Sequence, residues 1–143
     1  MEIESRRAAR LLVLDADGRI LLFRHRDPHG RPFWATPGGG LEPGETFEDA
    51  ARRESIEELG AAPASLRHVF ERDVTFPWGN RIIAQVEQYF LAAYAHTPSA
   101  SLMASHAEEG VLEVRWWARE ELDSDRVRPP DLAARLRAFE DDR

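Results

Sequence analysis

A chain of 143 residues, 43% hydrophobic and with a formal net charge of -7, suits one domain over residues 1–143 and sets a nucleic-acid polymer aside as a partner, because phosphate backbones recruit positive surfaces. The absence of cysteine excludes disulfides, thiolate zinc sites and cysteine nucleophiles, and because all 19 basic residues are arginine, a P-loop or Schiff-base lysine is excluded too. No stretch approaches the roughly 18 apolar residues of a membrane span or the pattern of a signal peptide, so no membrane is expected and the expected compartment is the cytoplasm.

In chain order, residues 7–14 read as a strand, Asp17-Gly18 as a hairpin turn and residues 20–24 as the partner strand. Residues 27–32 and the glycine-rich residues 37–44 read as loops. Residues 46–59 read as a helix, with Thr46 a plausible N-cap and Gly60 past its end. Residues 66–75 and 81–94 read as strands joined by a turn over 76–80, followed by a polar loop over 96–109. Residues 111–117 alternate like a strand, 119–122 form a short helix, and 131–140 form a last helix with Leu132, Leu136 and Phe139 on one side. Strands and helices mix without strict alternation, which points to an α/β fold with a mixed sheet covered by helices.

At about 100° per residue, Phe47, Ala50 and Ala51 form an apolar stripe that Glu54 and Glu58 continue, with Glu57 beside it. Like charges at this spacing repel, and Glu57 and Glu58 fall in the last turn, where the helix dipole disfavours anions by roughly 0.3–1 kcal/mol. Arg53 relieves Glu57, but Glu54 and Glu58 have no basic residue three or four positions away. Either this is a solvated acidic face, or a cation offsets the charge. Oxygen-only ligands would suit Mg2+ or Mn2+.

The segment Gly39 to Ala61 resembles the Nudix box, G-x5-E-x7-R-E-U-x-E-E-x-G-U, where U is a bulky apolar residue. Gly39, Glu45, Arg53, Glu54, Glu57, Glu58 and Gly60 occupy its seven fixed positions. Ser55 stands where the family carries an aliphatic residue and Ala61 is a small version of the last apolar position, so these departures touch packing more than chemistry. A leucine at position 55 is therefore expected to leave metal affinity unchanged. Trp34 with Pro37-Gly38-Gly39-Gly40, and Glu113 to Trp117 followed by Glu121-Leu122, extend the resemblance to single-domain bacterial members over nearly the whole chain. It implies an α/β/α sandwich with a mixed sheet and a loop-helix-loop metal platform. It also implies hydrolysis of a diphosphate linkage in a nucleotide-like substrate, with Mg2+ or Mn2+ neutralising phosphate charge and lowering the pKa of the attacking water.

By the same resemblance Glu57 and Glu58 are metal ligands, Glu54 is a ligand, the base that activates water, or both, and the Gly39 carbonyl can complete the shell. Glu45 and Arg53 are a structural pair. A further carboxylate from a later loop would be Glu109 or Glu108, Glu109 being preferred. Trp34, Phe76 and Trp78 are candidates to stack on a base, and Glu87 to reach the site from its strand; core packing for Trp34 and a solvent-facing position for Glu87 explain them almost as well. Pro77, sixteen residues past the box, resembles a marker of ADP-ribose hydrolases, which makes an ADP-ribose-like nucleoside diphosphate derivative the first expectation. Nucleoside triphosphates and dinucleoside polyphosphates are the alternatives, and a domain that senses a nucleotide without cleaving it is a third. The family commonly forms homodimers.

Overall fold

The computed structural model describes residues 2–99 and 110–141. The strands are β1 (Ile3–Val13), β2 (Ile20–Arg26), β3 (Pro32–Ala35), β4 (Gly38–Gly40), β5 (Ser65–Trp78), β6 (Arg81–Ala93), β7 (Glu113–Trp117) and β8 (Val127–Arg128). The helices are α1 (Phe47–Leu59), a 3-10 turn (Arg119–Glu121) and α2 (Leu132–Asp141). The strands form two mixed four-stranded sheets, ordered β4-β1-β6-β5 and β7-β2-β3-β8.

Alternation explains the layers. Leu11 and Val13 of β1, with Leu21 and Phe23 of β2, pack beneath Ala50 and Ala51 of α1. Their neighbours Leu12, Ile20 and Leu22 point the other way, onto Leu132 and Leu136 of α2. Successive strand residues face opposite sides, so a continuous apolar run marks a strand buried on both faces. The result is an α/β/α sandwich. Trp116 and Trp117 divide in the same way, Trp117 entering the α2 core and Trp116 packing against the α1 core.

Several local expectations change. The strands β1 and β2 are not a hairpin pair; only the Leu14–Ile20 bridge joins them before they diverge into different sheets. The Asp15 carboxylate accepts the amides of Asp17 and Arg19 and so closes the turn. Part of the glycine-rich stretch is a strand: β4 runs antiparallel to β1, with Gly38 opposite Arg10. A Cβ on Gly38 would lie 2.1 Å from the Ala9 carbonyl oxygen, so a side chain there would break this pairing. The β5–β6 hairpin keeps its register to Trp78–Arg81, which makes Phe76, Pro77 and Trp78 strand residues and leaves Gly79-Asn80 as the two-residue turn.

Ser55 is fully buried, its Oγ donating to the Ala61 carbonyl at 2.7 Å and meeting the Tyr94 hydroxyl at 2.6 Å. A leucine there would overpack this pocket and strip both groups of a partner. Ser55→Leu is expected to lower Tm by roughly 3–10 °C, from an overpacking cost of about 1–3 kcal/mol, with the Mg2+ dependence of activity unchanged. A melt equal to that of the wild type would show that the pocket has room.

Candidate active site

Helix α1 begins in a reciprocal cap. The Thr46 hydroxyl accepts from the Asp49 amide at 3.0 Å, and the Asp49 carboxylate accepts from the Thr46 amide at 3.2 Å. It ends at Gly60 in the left-handed conformation (φ 68°). Between these ends Glu54 and Glu58 are turned inward, 8% and 4% exposed, while Glu57 stays exposed.

Arg53 organises the cluster. Its Nε and Nη2 grip Glu45 at 2.8 and 2.9 Å, its Nη2 also donates to the Gly40 carbonyl at 3.0 Å, and its Nη1 reaches Glu54 at 3.0 Å and Glu57 at 3.1 Å. The hydrogen bonds from Arg53, ahead of the Glu42 amide, hold the Glu45 carboxyl at about 2, well below the usual range. Glu45 and Arg53 thus tie the loop before α1 to the helix. The Gly38 amide donates to Glu58 at 2.9 Å. A Cβ at Gly39 would lie 2.6 Å from Glu54 Oε1, so glycine alone lets this backbone pass so close to the carboxylate.

The donor set fits a hard divalent cation in type: carboxylate oxygens of Glu54, Glu57 and Glu58, with the Gly39 backbone passing close to Glu54. Among the described residues no three His, Asp or Glu side chains converge on one point. The Arg53 Nη1 group takes up Glu54 and Glu57 together, and Glu57, half-exposed on its side chain, can leave this weak surface pair at little cost. Glu108 and Glu109 lie outside the described residues.

A cleft of about 600 Å3 opens beside the platform. Its lining includes Gly38 and Gly39, which touch Glu58 and Glu54, and it extends along the inner face of β5 and β6 to Phe33, Phe76 and Trp78. Phe33 and Phe76 both meet Trp78 edge-on, at 6.3 and 6.2 Å, and His25 stacks on Phe33 at 5.4 Å. These rings offer an aromatic wall to a flat ligand.

Glu87 reaches this cleft from β6 and is 5% exposed. Its carboxylate accepts from Arg10 Nε at 3.3 Å, Gln85 Nε2 at 2.9 Å and the Tyr89 hydroxyl at 3.2 Å, with Arg72 Nε 2.7 Å away. Trp34 does not line the cleft. It is 6% exposed and packs edge-on against Trp117 in the α2 core, because even-numbered residues of β3 face α2, while its neighbour Phe33 faces the ligand side. Sequence reasoning passed over Phe33, Arg10 and Arg72. The period of two in Arg72-Val74-Phe76-Trp78, which gathers polar and aromatic side chains on one face of a strand, was the available signal.

Burial, with the Arg10 charge second, pushes the His25 imidazole down to about 4. Between that value and the ordinary 6.5 the unfolded chain binds a proton that the folded chain refuses, so stability falls as pH drops from 6.5 through 4. The His25 ring resonances are expected to titrate near 4, and His25→Asn to flatten part of the pH dependence of the melt in that window. A midpoint near 6.5 would place the ring in solvent.

A NUDIX domain model matches residues 4–139. The chain belongs to the Nudix family. Its relatives include an RNA pyrophosphohydrolase of Erythrobacter litoralis, 28% identical over 134 residues, covering 85% of this chain and 80% of that protein. The nucleoside triphosphatase NudI of Escherichia fergusonii is 50% identical over 50 residues, 34% of this chain and 36% of that one. Among solved structures, the MutT NUDIX hydrolase of Burkholderia pseudomallei superposes with a TM-score of 0.69 at 26% identity, covering 91% of this chain and 95% of that one. As a Nudix hydrolase the protein cleaves a phosphoanhydride in a nucleotide-like substrate, and α1 with its preceding loop is the segment that carries the box. No helix among the described residues is long and apolar enough to cross a membrane.

Proposed function

We propose that the protein hydrolyses the diphosphate linkage of a nucleoside diphosphate derivative of the ADP-ribose type, with Mg2+ or Mn2+ as cofactor. One observation carries this reading: a single cleft joins the glycines that touch Glu54 and Glu58 to the aromatic wall of Phe33, Phe76 and Trp78. A phosphoanhydride at one end and a base at the other would span it. Glu57, Glu58 and Glu54 hold the cation, with the Gly39 carbonyl as a further oxygen donor and Glu109 as the later-loop ligand. When bound, the cation neutralises phosphate charge and lowers the pKa of water.

Glu54, buried and fixed by Arg53, is placed to accept the proton of the attacking water. Arg53 keeps Glu54 oriented, and Glu45 keeps Arg53 in place. Trp78 stacks on the base. The protein acts in the cytoplasm as one domain, as a monomer or a homodimer.

The names of the relatives support a second reading, in which the substrate is a nucleoside triphosphate or a 5′-triphosphate end. A panel of ADP-ribose, nucleoside triphosphates, a dinucleoside polyphosphate and a 5′-triphosphorylated RNA oligomer, each with Mg2+, Mn2+ or excess chelator, separates the two. ADP-ribose should give AMP and ribose 5-phosphate fastest, and only with a cation. Faster release of pyrophosphate from a triphosphate would overturn the substrate, undiminished turnover in chelator the metal, and no turnover of any compound the enzymatic reading. With ADP-ribose, Trp78→Ala should raise KM roughly tenfold, since a stacked base is worth about 1–3 kcal/mol; an unchanged KM removes Trp78 from the site.

A further inference from the structure

The cleft holds more positive charge than its own carboxylates balance. Arg10 of β1 and Arg72 of β5 both line it, on the two strands that flank β6: the register sets Arg72 directly opposite Glu87, and Glu87 beside Ala8, two residues from Arg10. Both guanidiniums turn their Nε edge toward Glu87, and among the described residues their Nη groups enter no hydrogen bond or ion pair. Arg72 Nε lies close enough to Glu87 for an ion pair but is not aligned as a hydrogen bond. Glu87 is saturated by Arg10, Gln85, Tyr89 and Arg72, so it has little left to offer a substrate. One carboxylate thus makes direct contact with two guanidiniums in a largely buried place, while Glu58 acts on Arg10 through its charge alone.

A second observation points the same way. Thr36 is 1% exposed, and its hydroxyl oxygen has no hydrogen-bond partner. Thr36 and Arg72 both line this cleft. A buried polar group left unpaired destabilises the fold unless something supplies the partner. Guanidinium forks with free Nη groups and a nearby hydroxyl match the oxygens of a phosphoryl group.

We propose that Arg10 and Arg72 form a metal-independent seat for one phosphoryl group of the substrate, completed by the Thr36 hydroxyl, with Glu87 as the positioning residue that keeps both guanidiniums oriented while the seat is empty. The proposal rests on the reading of the cleft as a diphosphate site, but the seat can be probed without turnover. Glu87 then competes with the ligand for the two arginines rather than binding it.

The test measures binding of inorganic pyrophosphate to the full chain in excess chelator, by calorimetry and thermal shift. Wild type should bind. Arg10→Gln and Arg72→Gln should each weaken binding by roughly tenfold or more, the worth of a charge-assisted contact. Glu87→Gln keeps the shape, removes the competing charge and should bind at least as well as wild type. Arg24→Gln, a surface arginine of β2 paired with Glu113, should bind unchanged. In the substrate panel the two cleft arginine variants should raise KM more than they lower kcat.

Absent binding in the wild type, or equal losses in Arg24→Gln and Arg72→Gln, would overturn the seat. Weakened binding in Glu87→Gln with a normal melt would make Glu87 itself a ligand and overturn its positioning role; if that variant does not fold, the two arginine variants still decide. A chain that binds pyrophosphate in this pattern but turns over nothing would keep the seat and lose the hydrolase reading.

Discussion

Glu58→Gln is expected to lower turnover by about 10^3-fold, the equivalent of several kcal/mol of charge stabilisation supplied through a metal ligand. The fold should survive, because the glutamine oxygen can still accept the Gly38 amide that now donates to Glu58 at 2.9 Å. In chelator the variant should melt at or above the wild-type temperature. The substitution removes an anion from the last turn of α1, where no basic residue offsets the dipole, and relieves repulsion with Glu54 one turn away. Near-normal turnover would remove Glu58 from the ligand set. A melt in chelator lowered by more than a few degrees would show instead that the carboxylate is structural.

Arg53→Met should act oppositely, harming the fold as well as the reaction. Three carboxylates, those of Glu45, Glu54 and Glu57, are hydrogen-bonded to this one guanidinium, and so is the Gly40 carbonyl. Stranding buried charges costs about 3–5 kcal/mol; Glu54 is buried, but Arg53 keeps 21% of its side chain exposed, so about 2–3 kcal/mol is expected here, or roughly 6–12 °C in Tm. Saturating Mg2+ should narrow the gap, since a bound cation takes over part of the charge balance. Arg53→Lys should recover only part of it, because an ammonium cannot make the bidentate pair with Glu45. Paired melts of both variants, with cation and with chelator, check this; equal wild-type and Arg53→Met melts would mean that Glu45 and Glu54 do not depend on Arg53.

The helix that carries the box could be read from its residues alone, down to its Thr46 and Gly60 ends, because caps and periodicity are local. The sandwich could be read from the family resemblance. The sheets could not, since β1 pairs with β6 and β4 through contacts that leave no local trace, and a three-residue glycine strand has no propensity to announce it. The placement of Trp34 and Phe33 turned on which side of β3 faces which helix, a one-residue question in strand register that neighbouring sequence does not answer. Glu87 was visible as an acid in an apolar strand, but the partners that saturate it come from three different positions in the chain: Arg10, Arg72 and its own strand neighbours.

The parallel pairing of β1 with β6 has a kinetic side. Arg10 and Glu87 meet across 77 positions of sequence, and the adjoining ladder is equally non-local. Closing so long a loop must precede the contacts that reward it, and chains dominated by distant pairings fold slowly for that reason. The β5–β6 hairpin and α1, whose bonds are local, can form early, while the wall that holds Arg10 against Glu87 assembles late. In a refolding experiment helical signal should therefore return before any capacity to bind a phosphate.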